Sequence, residues 1–434
     1  MTPSSIRTGT GSASDAEALT AAAEEFVDRE WDESVTVRQW WRRLADAGLA
    51  YPAWPQSLGG VGATSAAARA ATSVLARRGV IGPPVGHVAA TLAAPTLLEH
   101  GTPEQKEVFV RQIALGEAAW CQLFSEPGSG SDLASVGVRA VPDGDEWVVT
   151  GQKVWNSGAD SADLGMLLAR TDPDLRKHKG MTYFVIDMHQ PGVEVRPLKQ
   201  MNGASNFCEV FLTEARIRAG CTIGAVNGGW RVAQTTLFHE RNSTAGGALP
   251  GLIPARSGRG GDLDLTVGEV VSRARAAASR RRSPIRGGAI PVRAMLDLAR
   301  QCGRADDPAT RQDLARYVSQ VRINGWTMQR IGAARGRMTG ADGSIAKLLT
   351  SRICQQSRDL SFHIAGAHGL LTGPDAPMGG DLATVGLASP GTRIGGGSDE
   401  IQLNVIAERA LGLPREPFDD RDVPYRELRV GTQR

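Results

Sequence analysis

Cysteine is scarce in this chain, and none of it occurs in closely spaced pairs. The 434 residues include five cysteines, and no C-x-x-C string is present. Small secreted domains depend on paired cysteines, and structural zinc sites need ligands at short fixed spacings. The pattern therefore excludes a disulfide framework, predicts no metal site and favours reduced, buried thiols in a cytoplasmic protein.

Long apolar runs and an excess of one charge are also missing. The chain is 41% hydrophobic and 22% charged, with a net charge of +3. No run approaches the roughly twenty apolar residues of a membrane-spanning helix, so no membrane span is predicted. The near balance of charge argues against nucleic acid as a partner, although local arginines would suit a phosphate-bearing substrate.

The length predicts two or three domains, and the sequence pattern changes twice along the chain. Residues 1–14 lack an apolar signal core and are predicted to be a disordered lead-in. Residues 15–118 have helical periodicity and predict an N-terminal α-helical domain. Within it, Gly101 ends one helix, Thr102 caps the next and Pro103 takes its first position.

Short β-branched runs separated by Gly, Asp and Pro predict a small antiparallel sandwich or barrel over residues 119–229. Helical periodicity returns over residues 230–434, interrupted by a Gly- and Arg-rich insertion at about 246–291. We interpret the insertion as solvated, with a basic helix over about 267–282. The alternative is a clamp for the phosphates of a nucleotide-like ligand.

Two segments of the β region carry residues typical of a ligand site. Residues 120–132 read WCQLFSEPGSGSD, which places a carboxylate, a proline and glycines at the end of an apolar run. Glycine permits close backbone approach, and exposed N–H groups beside a hydroxyl suit an anion. Residues 151–158 read GQKVWNSG and end a strand with a tryptophan beside two small polar side chains. Together they predict the wall and rim of a site for a flat ring with polar edges.

A third pattern lies in the C-terminal helices. Residues 361–370 read SFHIAGAHGL, and residues 393–400 read RIGGGSDE. Three glycines predict a flexible turn into a helix, with Ser398 as the N-cap and Asp399 and Glu400 in the first turn. The free N–H groups of such a helix end suit an anionic or polarised oxygen.

These motifs resemble the acyl-CoA dehydrogenase family, and the resemblance spans about residues 15–416. It implies an α+β fold with an N-terminal helical domain, a middle β-barrel or sandwich domain and a C-terminal helical bundle. It further implies FAD as cofactor and an acyl-CoA substrate that is desaturated between its α and β carbons, as in β-oxidation. An electron-transfer flavoprotein would accept the electrons, and the protein would form dimers or tetramers.

The resemblance also assigns roles to individual residues. Phe124 and Ser125 would lie near the edge of the isoalloxazine ring, and Gly130 and Ser131 would face a phosphate. Trp155 would cover one ring face, and Ser157 would bond the ring edge near its hydride-accepting nitrogen. Gln122 departs from the family, which often has an aromatic residue there. The remaining cofactor-binding candidates are Asn156, His363 (facing the adenine end in a neighbouring subunit), Gly366, Ser398 and Glu400.

The catalytic base is displaced from its usual position. Many members of the family have a glutamate directly before the Gly-Thr pair of the C-terminal loop, where this chain has Gly396. A subset supplies the glutamate from an earlier helix, and Leu237–Arg241, LFHER, followed by two glycines, is similar to that pattern. Glu240 is therefore the predicted base, and the Gly396 amide is a predicted donor to the thioester carbonyl. The missing side chain at Gly396 favours branched or cyclic acyl groups.

One family signature is absent. Members usually carry an R-x-x-F-G string whose arginine meets the cofactor pyrophosphate across the dimer, and this sequence has none. Arg282 or Arg286 would be the substitutes. Two alternatives therefore stay open, a non-catalytic or half-site subunit of a two-chain enzyme and a flavin oxidase or monooxygenase on the same scaffold.

Overall fold

The structure is a computed structural model that describes residues 13–84, 88–243, 251–280, 288–333, 341–373, 375–415, 417 and 422–428. Most of the predicted lead-in lies outside these residues, but helix α1 already includes Ala13 and Ser14. None of the helices in the described part of the chain combines the length and apolar character needed to cross a bilayer. All five cysteines are free thiols.

The helices precede and follow a central group of strands. Those before the strands are α1 Ala13–Glu30, α2 Val37–Asp46, α3 Ser65–Arg78, α4 Ala94–His100, α5 Pro103–Gln105 and α6 Arg111–Ala114. Those after are α7 Gly229–Ser243, α8 Val267–Arg280, α9 Val292–Gln301, α10 Pro308–Ala333, α11 Asp342–Ala365, α12 Asp381–Ala388, α13 Gly391–Ile394 and α14 Asp399–Arg409. Thr102 and Gln105 form the capping box expected at the helix restart.

The strands form one mixed sheet. They are β1 Trp120–Leu123, β2 Arg139–Asp143, β3 Glu146–Ser157, β4 Leu164–Arg170, β5 Met181–Asp187, β6 Val193–Leu198, β7 Phe207–Arg218 and β8 Thr222–Ile223. Their order is β6-β7-β3-β2-β4-β5-β8, and β1 pairs with β4 in parallel. This sheet between two helical regions confirms the predicted α+β fold class.

Helices α1–α3 pack around two adjacent tryptophans. The rings of Trp40 and Trp41 are fully buried, and their indole N–H groups donate to the carbonyls of Ile81 and Gly82 at 2.8 and 2.9 Å. Buried Trp normally needs such a partner for its N–H group. These bonds fix the chain that leaves α3 against α2.

The described part of the insertion completes this N-terminal core. Residues 251–280 contribute buried apolar side chains to the α1–α3 cluster, and backbone bridges join Ile253 to Ile81 and Thr266 to Thr36. The interpretation of a solvated insertion is therefore wrong for residues 251–280. Val267, Val270 and Val271 share one face of α8 at helical spacing and turn inward, while Arg256 and Arg259 remain exposed. The buried side chains are Ala255, Leu263, Val267, Val270 and Val271.

A buried carboxylate fixes the fold of this segment. Asp262 is fully buried and accepts hydrogen bonds from the guanidinium groups of Arg256 and Arg273. Burial acts to raise the pKa of Asp262, yet the hydrogen bonds of Arg273 and Arg256 lower it to about 2. Arg256 and Arg273 are therefore not available to bind phosphates, as the alternative of a phosphate clamp would require, because both pair with Asp262.

Helix α7 connects the sheet to the C-terminal helices. A Cβ on Gly229 would lie 2.7 Å from the backbone nitrogen of Tyr183 in β5, so the helix begins in direct contact with the sheet. Further along α7, the buried Thr236 hydroxyl lies 2.8 Å from the Thr96 hydroxyl and 3.1 Å from the Tyr183 hydroxyl. These contacts fix the helix face that carries residue 240 one turn later.

Candidate active site

The loop that follows β1 is tied to the sheet through Glu126. Its carboxylate accepts hydrogen bonds from the backbone N–H groups of Gly137 and Val138, at 2.7 and 3.0 Å. It also accepts one from the Lys153 ammonium at 2.8 Å. The loop residues Gly130 and Ser131 remain exposed beyond this anchor. They are thus accessible to a ligand, as the phosphate-binding prediction requires.

Lys153 is the buried counterpart of that anchor. Its side chain has no exposed surface, and its ammonium donates to the carbonyls of Phe124 and Leu168 at 2.9 and 2.7 Å as well as to Glu126. Burial lowers the pKa of Lys153, while the Glu126 carboxylate acts in the opposite direction. Lys153 is not among the predicted site residues. The available signal was that it is the one cation of the GQKVWNSG string, between Gln152 and Val154.

Trp155 stands out from the same strand. Its backbone has φ of 62°, in the left-handed region that is costly for a residue with a side chain. The pairing of β3 with β7 shifts register between Lys153 and Asn156, and the ring is 56% exposed. It contacts Phe207 edge-on, with ring centroids 5.7 Å apart. A strained backbone that presents a large flat ring outward is typical of a ligand platform.

The next two residues have opposite environments. Asn156 is buried, and its amide donates to the carbonyl of Gln122 at 2.7 Å. Among the described residues its Oδ1 has no hydrogen-bond partner, and such burial is costly unless a ligand supplies a donor. Ser157 is exposed at the end of β3. The WNS string thus offers a ring, an unsatisfied acceptor and a hydroxyl in succession.

Glu240 meets the β1 strand and the C-terminal glycine loop. The Gln122 amide donates to Glu240 Oε2 at 3.3 Å. A Cβ placed on Gly396 would lie 3.9 Å from Glu240 Oε1, the nearest atom of the described residues beyond the two chain neighbours of that glycine. Glu240 and Gly396, which are far apart in sequence, therefore lie next to each other in the structure. The Glu240 side chain is half-buried there.

The glycine loop is itself held from α14. Gln402 is buried, and its amide donates to the carbonyls of Gly396 and Gly397 at 2.9 and 3.2 Å. Ser398 is the predicted N-cap, accepting from the Ile401 N–H at 3.3 Å. Gly396 has φ of 68°, which favours glycine over any residue with a side chain. This geometry accounts for the RIGGGSDE string.

Asp399 anchors the start of α14 to α11. It is buried and accepts hydrogen bonds from Lys347 and Ser351, both at 2.9 Å, and from Arg393 at 3.2 Å. Burial acts to raise the pKa of Asp399, but the bonds from Lys347 and Ser351 outweigh it and lower the pKa. Glu400, in contrast, projects outward with 72% of its side chain exposed.

Other predicted residues have less direct positions. The Phe124 ring is buried in the core edge-on to Tyr183, and its carbonyl accepts from the buried Lys153 ammonium. Ser125 is half-buried between β1 and the loop. His363 is exposed near the end of α11, where its charge helps lower the pKa of Asp307, after the hydrogen bonds from Thr310. Gly366 follows with φ of 57°. The contacts of the described residues do not join these last two to Glu240.

The site fits a flat cofactor with polar edges. The exposed Trp155 ring, the unsatisfied Asn156 Oδ1 and the capped α14 start supply an apolar face, an acceptor and a polarised helix end. An aromatic wall with a few polar groups is the combination that cofactor pockets use. The substitutes proposed for the missing arginine, Arg282 and Arg286, lie outside the described residues.

Sequence profiles of one family match most of the chain. The N-terminal, middle and C-terminal domains of acyl-CoA dehydrogenases match residues 14–117, 121–215 and 291–411. The acyl-CoA dehydrogenase IpdE1 of Mycobacterium tuberculosis is 36% identical over 87% of this chain and 88% of its own length. The chain belongs to the acyl-CoA dehydrogenase family. It is an oxidoreductase and, like the other members, an FAD-binding flavoprotein.

Two further relatives extend the comparison. The acyl-CoA dehydrogenase FadE34 of Mycobacterium tuberculosis is 39% identical over 86% of this chain, which spans only 46% of FadE34. A solved structure named Tcur3481-Tcur3483 steroid ACAD is 25% identical, with a TM-score of 0.65. The match covers 95% of this chain and 100% of that chain. The name of that structure joins two components.

Proposed function

We propose that this enzyme desaturates an acyl-CoA thioester between its α and β carbons, with Glu240 as the base. The observation that carries the proposal is the approach of the Glu240 carboxylate to Gly396. In this arrangement the carboxylate lies in van der Waals contact with the position that a Cβ on Gly396 would take. A base on α7 can therefore serve the same substrate carbon as a base on the loop.

Each reacting group has a defined task. Glu240 removes the α-proton, and the Gly396 N–H donates to the thioester carbonyl, where negative charge develops. FAD, when bound, supplies the acceptor for the hydride that leaves the β carbon. Trp155 would pack on the flavin ring, Ser157 would hydrogen-bond its polar edge, and Gly130 and Ser131 would hold a phosphate. His363, Gly366, Ser398 and Glu400 would hold the remaining parts of the cofactor. An electron-transfer flavoprotein is the proposed acceptor of the electrons.

We further propose a bulky, cyclic acyl group. Gly396 leaves no side chain of its own beside the reaction centre, and Phe207 borders the exposed Trp155 ring. The solved relative that is named a steroid ACAD is consistent with such a substrate.

Purified protein is expected to be yellow and to bleach when mixed anaerobically with a steroid-like acyl-CoA. The bleaching reports transfer of a hydride from the substrate to the bound flavin. The visible absorbance of the oxidised flavin, which is lost on reduction, measures it. A straight-chain acyl-CoA is the control for the cyclic group. A yellow protein that no acyl-CoA bleaches would contradict the desaturation.

A second candidate is a half-site subunit, favoured by the missing R-x-x-F-G string and by the two components named for the solved relative. It predicts colourless protein that gains flavin only on co-expression with a paralogue. An oxidase or monooxygenase would instead consume oxygen during turnover. Flavin content and oxygen uptake, recorded in the same preparation, separate the three cases.

Trp155→Ala is expected to weaken FAD binding about fivefold, because ring–ring contacts contribute on the order of 1 kcal/mol beyond burial. The stability of the apoprotein should change little, since the ring is 56% exposed. Isothermal titration of apoprotein with FAD measures the affinity. Trp155→Phe keeps a flat ring and should retain most of it. Unchanged affinity in the alanine variant would show that Trp155 does not cover the flavin.

A further inference from the structure

Gln122 connects two parts of the active site that lie far apart in sequence. Its backbone carbonyl accepts the Asn156 amide at 2.7 Å, and its side-chain amide donates to Glu240 Oε2 at 3.3 Å. Strand β1 is fixed in turn by its parallel pairing with β4, where Gln122 lies opposite Met166. The amide is therefore held on a rigid element and directed at the carboxylate.

We infer that Gln122 is a positioning residue that orients the Glu240 carboxylate for proton abstraction. The inference rests on the proposed role of Glu240 as base. An aromatic side chain, which the family often has at this position, would place no amide donor against the carboxylate. The hydrogen bond between Gln122 and Glu240 is therefore expected only where the base is supplied by α7.

The two carboxylate oxygens face different neighbours. Oε2 receives the Gln122 amide, and Oε1 lies on the side of Gly396. Because one oxygen is bound to β1, rotation of the carboxylate about its terminal torsion is restricted. Oε1 is thereby directed to the glycine loop, where the substrate carbon is proposed to lie. A base must be within hydrogen-bond reach of its proton, so this orientation bears directly on the rate.

Among the described residues, arginines on two helices act near Glu240. Arg241 follows it on α7 and interacts with it electrostatically, and Arg409 of α14 acts on Arg241. Strand β1 contributes the neutral Gln122, and the loop at Gly396 contributes backbone only. A hydrogen bond donated to a carboxylate favours its charged form and lowers its pKa. Removing the amide should therefore raise the pKa of Glu240 while the arginines stay in place.

Gln122→Leu is expected to move the acid limb of the pH profile of kcat/KM to higher pH by about half a unit to one unit. The limb marks the pH below which the base is protonated and inactive, so a raised pKa shifts it upward. Gln122→Glu places a second carboxyl group beside the first and should shift the limb further, because like charges disfavour ionisation. If the leucine variant does not fold, the glutamate variant tests the same bond.

Gln152→Leu is the matched control. Gln152 also donates its amide to a glutamate, Glu209, at 3.1 Å, but on strands β3 and β7. The Gln152→Leu substitution removes an equivalent hydrogen bond, but it should not shift the acid limb of the pH profile of kcat/KM. A limb that does not move in either Gln122 variant, or moves equally in Gln152→Leu, would overturn the inference.

A second readout does not depend on turnover. Infrared difference spectra of wild type minus Glu240→Gln isolate the carboxyl C=O stretch of the protonated Glu240, and its amplitude against pH gives the pKa directly. The Gln122→Leu background should show this titration at higher pH. If it does while no acyl-CoA is turned over, the hydrogen bond stands and the proposed function fails. If turnover occurs and the titration is unmoved, only the role of Gln122 fails.

Discussion

Glu240→Gln is expected to keep the bound flavin and to slow its reduction by an acyl-CoA about 10²–10⁴-fold, the usual contribution of a general base. The glutamine amide has nearly the size of the carboxylate and can still accept from Gln122, so the site should retain its geometry. It cannot take up the α-proton. Anaerobic stopped-flow absorbance of the flavin gives the rate of reduction under single-turnover conditions.

The control for this change is Glu209→Gln. Glu209 also accepts a glutamine amide but lies on β7, paired with Gln152. Its substitution should leave the rate of flavin reduction unchanged. If Glu240→Gln were reduced as fast as wild type, the base would have to come from another residue.

Lys153→Met is expected to reduce the free energy of unfolding by about 3–5 kcal/mol, since it removes one partner of a buried ion pair. Methionine matches the length of the lysine stem but leaves the Phe124 and Leu168 carbonyls without their donor. The Glu126 carboxylate also loses the Lys153 cation. The loop that carries Gly130 and Ser131 is then held less firmly against the sheet. Urea unfolding followed by circular dichroism measures the first effect, and flavin content measures the second.

The same loop provides a surface counterpart. Lys177 pairs with Asp132 at 2.7 Å, with 19% and 55% of the two side chains exposed. Exposed pairs contribute about 0–1 kcal/mol, so Lys177→Met should have a small effect. Adding Glu126→Gln to Lys153→Met should recover part of the loss, because no unpaired charge remains. A Lys153→Met loss no larger than that of Lys177→Met would contradict the anchor.

Local patterns predicted the helices well where apolar periodicity was strong. The apolar spacing of residues 292–301 predicts a helix, and α9 spans Val292–Gln301. Helix α14 begins at Asp399 after the predicted Ser398 cap. Strand ends are harder to predict. The sequence predicts a strand over residues 147–150, but β3 spans Glu146–Ser157, because Gly151 and the polar residues after it interrupt the alternation without ending the strand. A strand predicted over residues 209–212 likewise extends to Phe207–Arg218 in β7.

The site was predictable only as far as its motifs were local. The Trp155–Ser157 string and the Ser398 cap can be identified from adjacent residues. The Lys153–Glu126 pair and the Gln122–Glu240 bond join residues that lie 27 and 118 positions apart, and no local pattern specifies such partners. The same holds for the insertion, whose high arginine content suggested solvent while its apolar side chains were directed at α1–α3.

The position of residues 251–280 affects how the protein is made. The first hundred residues lack part of their apolar interior until Val267, Val270 and Val271 leave the ribosome. At a synthesis rate of roughly 5–20 residues per second, about 8 to 31 s separate the emergence of Leu115 from that of Val271. During this interval an apolar surface of α1–α3 is exposed to solvent. The strands β1–β8, which precede residues 251–280 in sequence, are emerging at the same time. The α1–α3 core therefore cannot be completed until residues 251–280 have been synthesised. Chaperones can bind the exposed apolar surface during that interval.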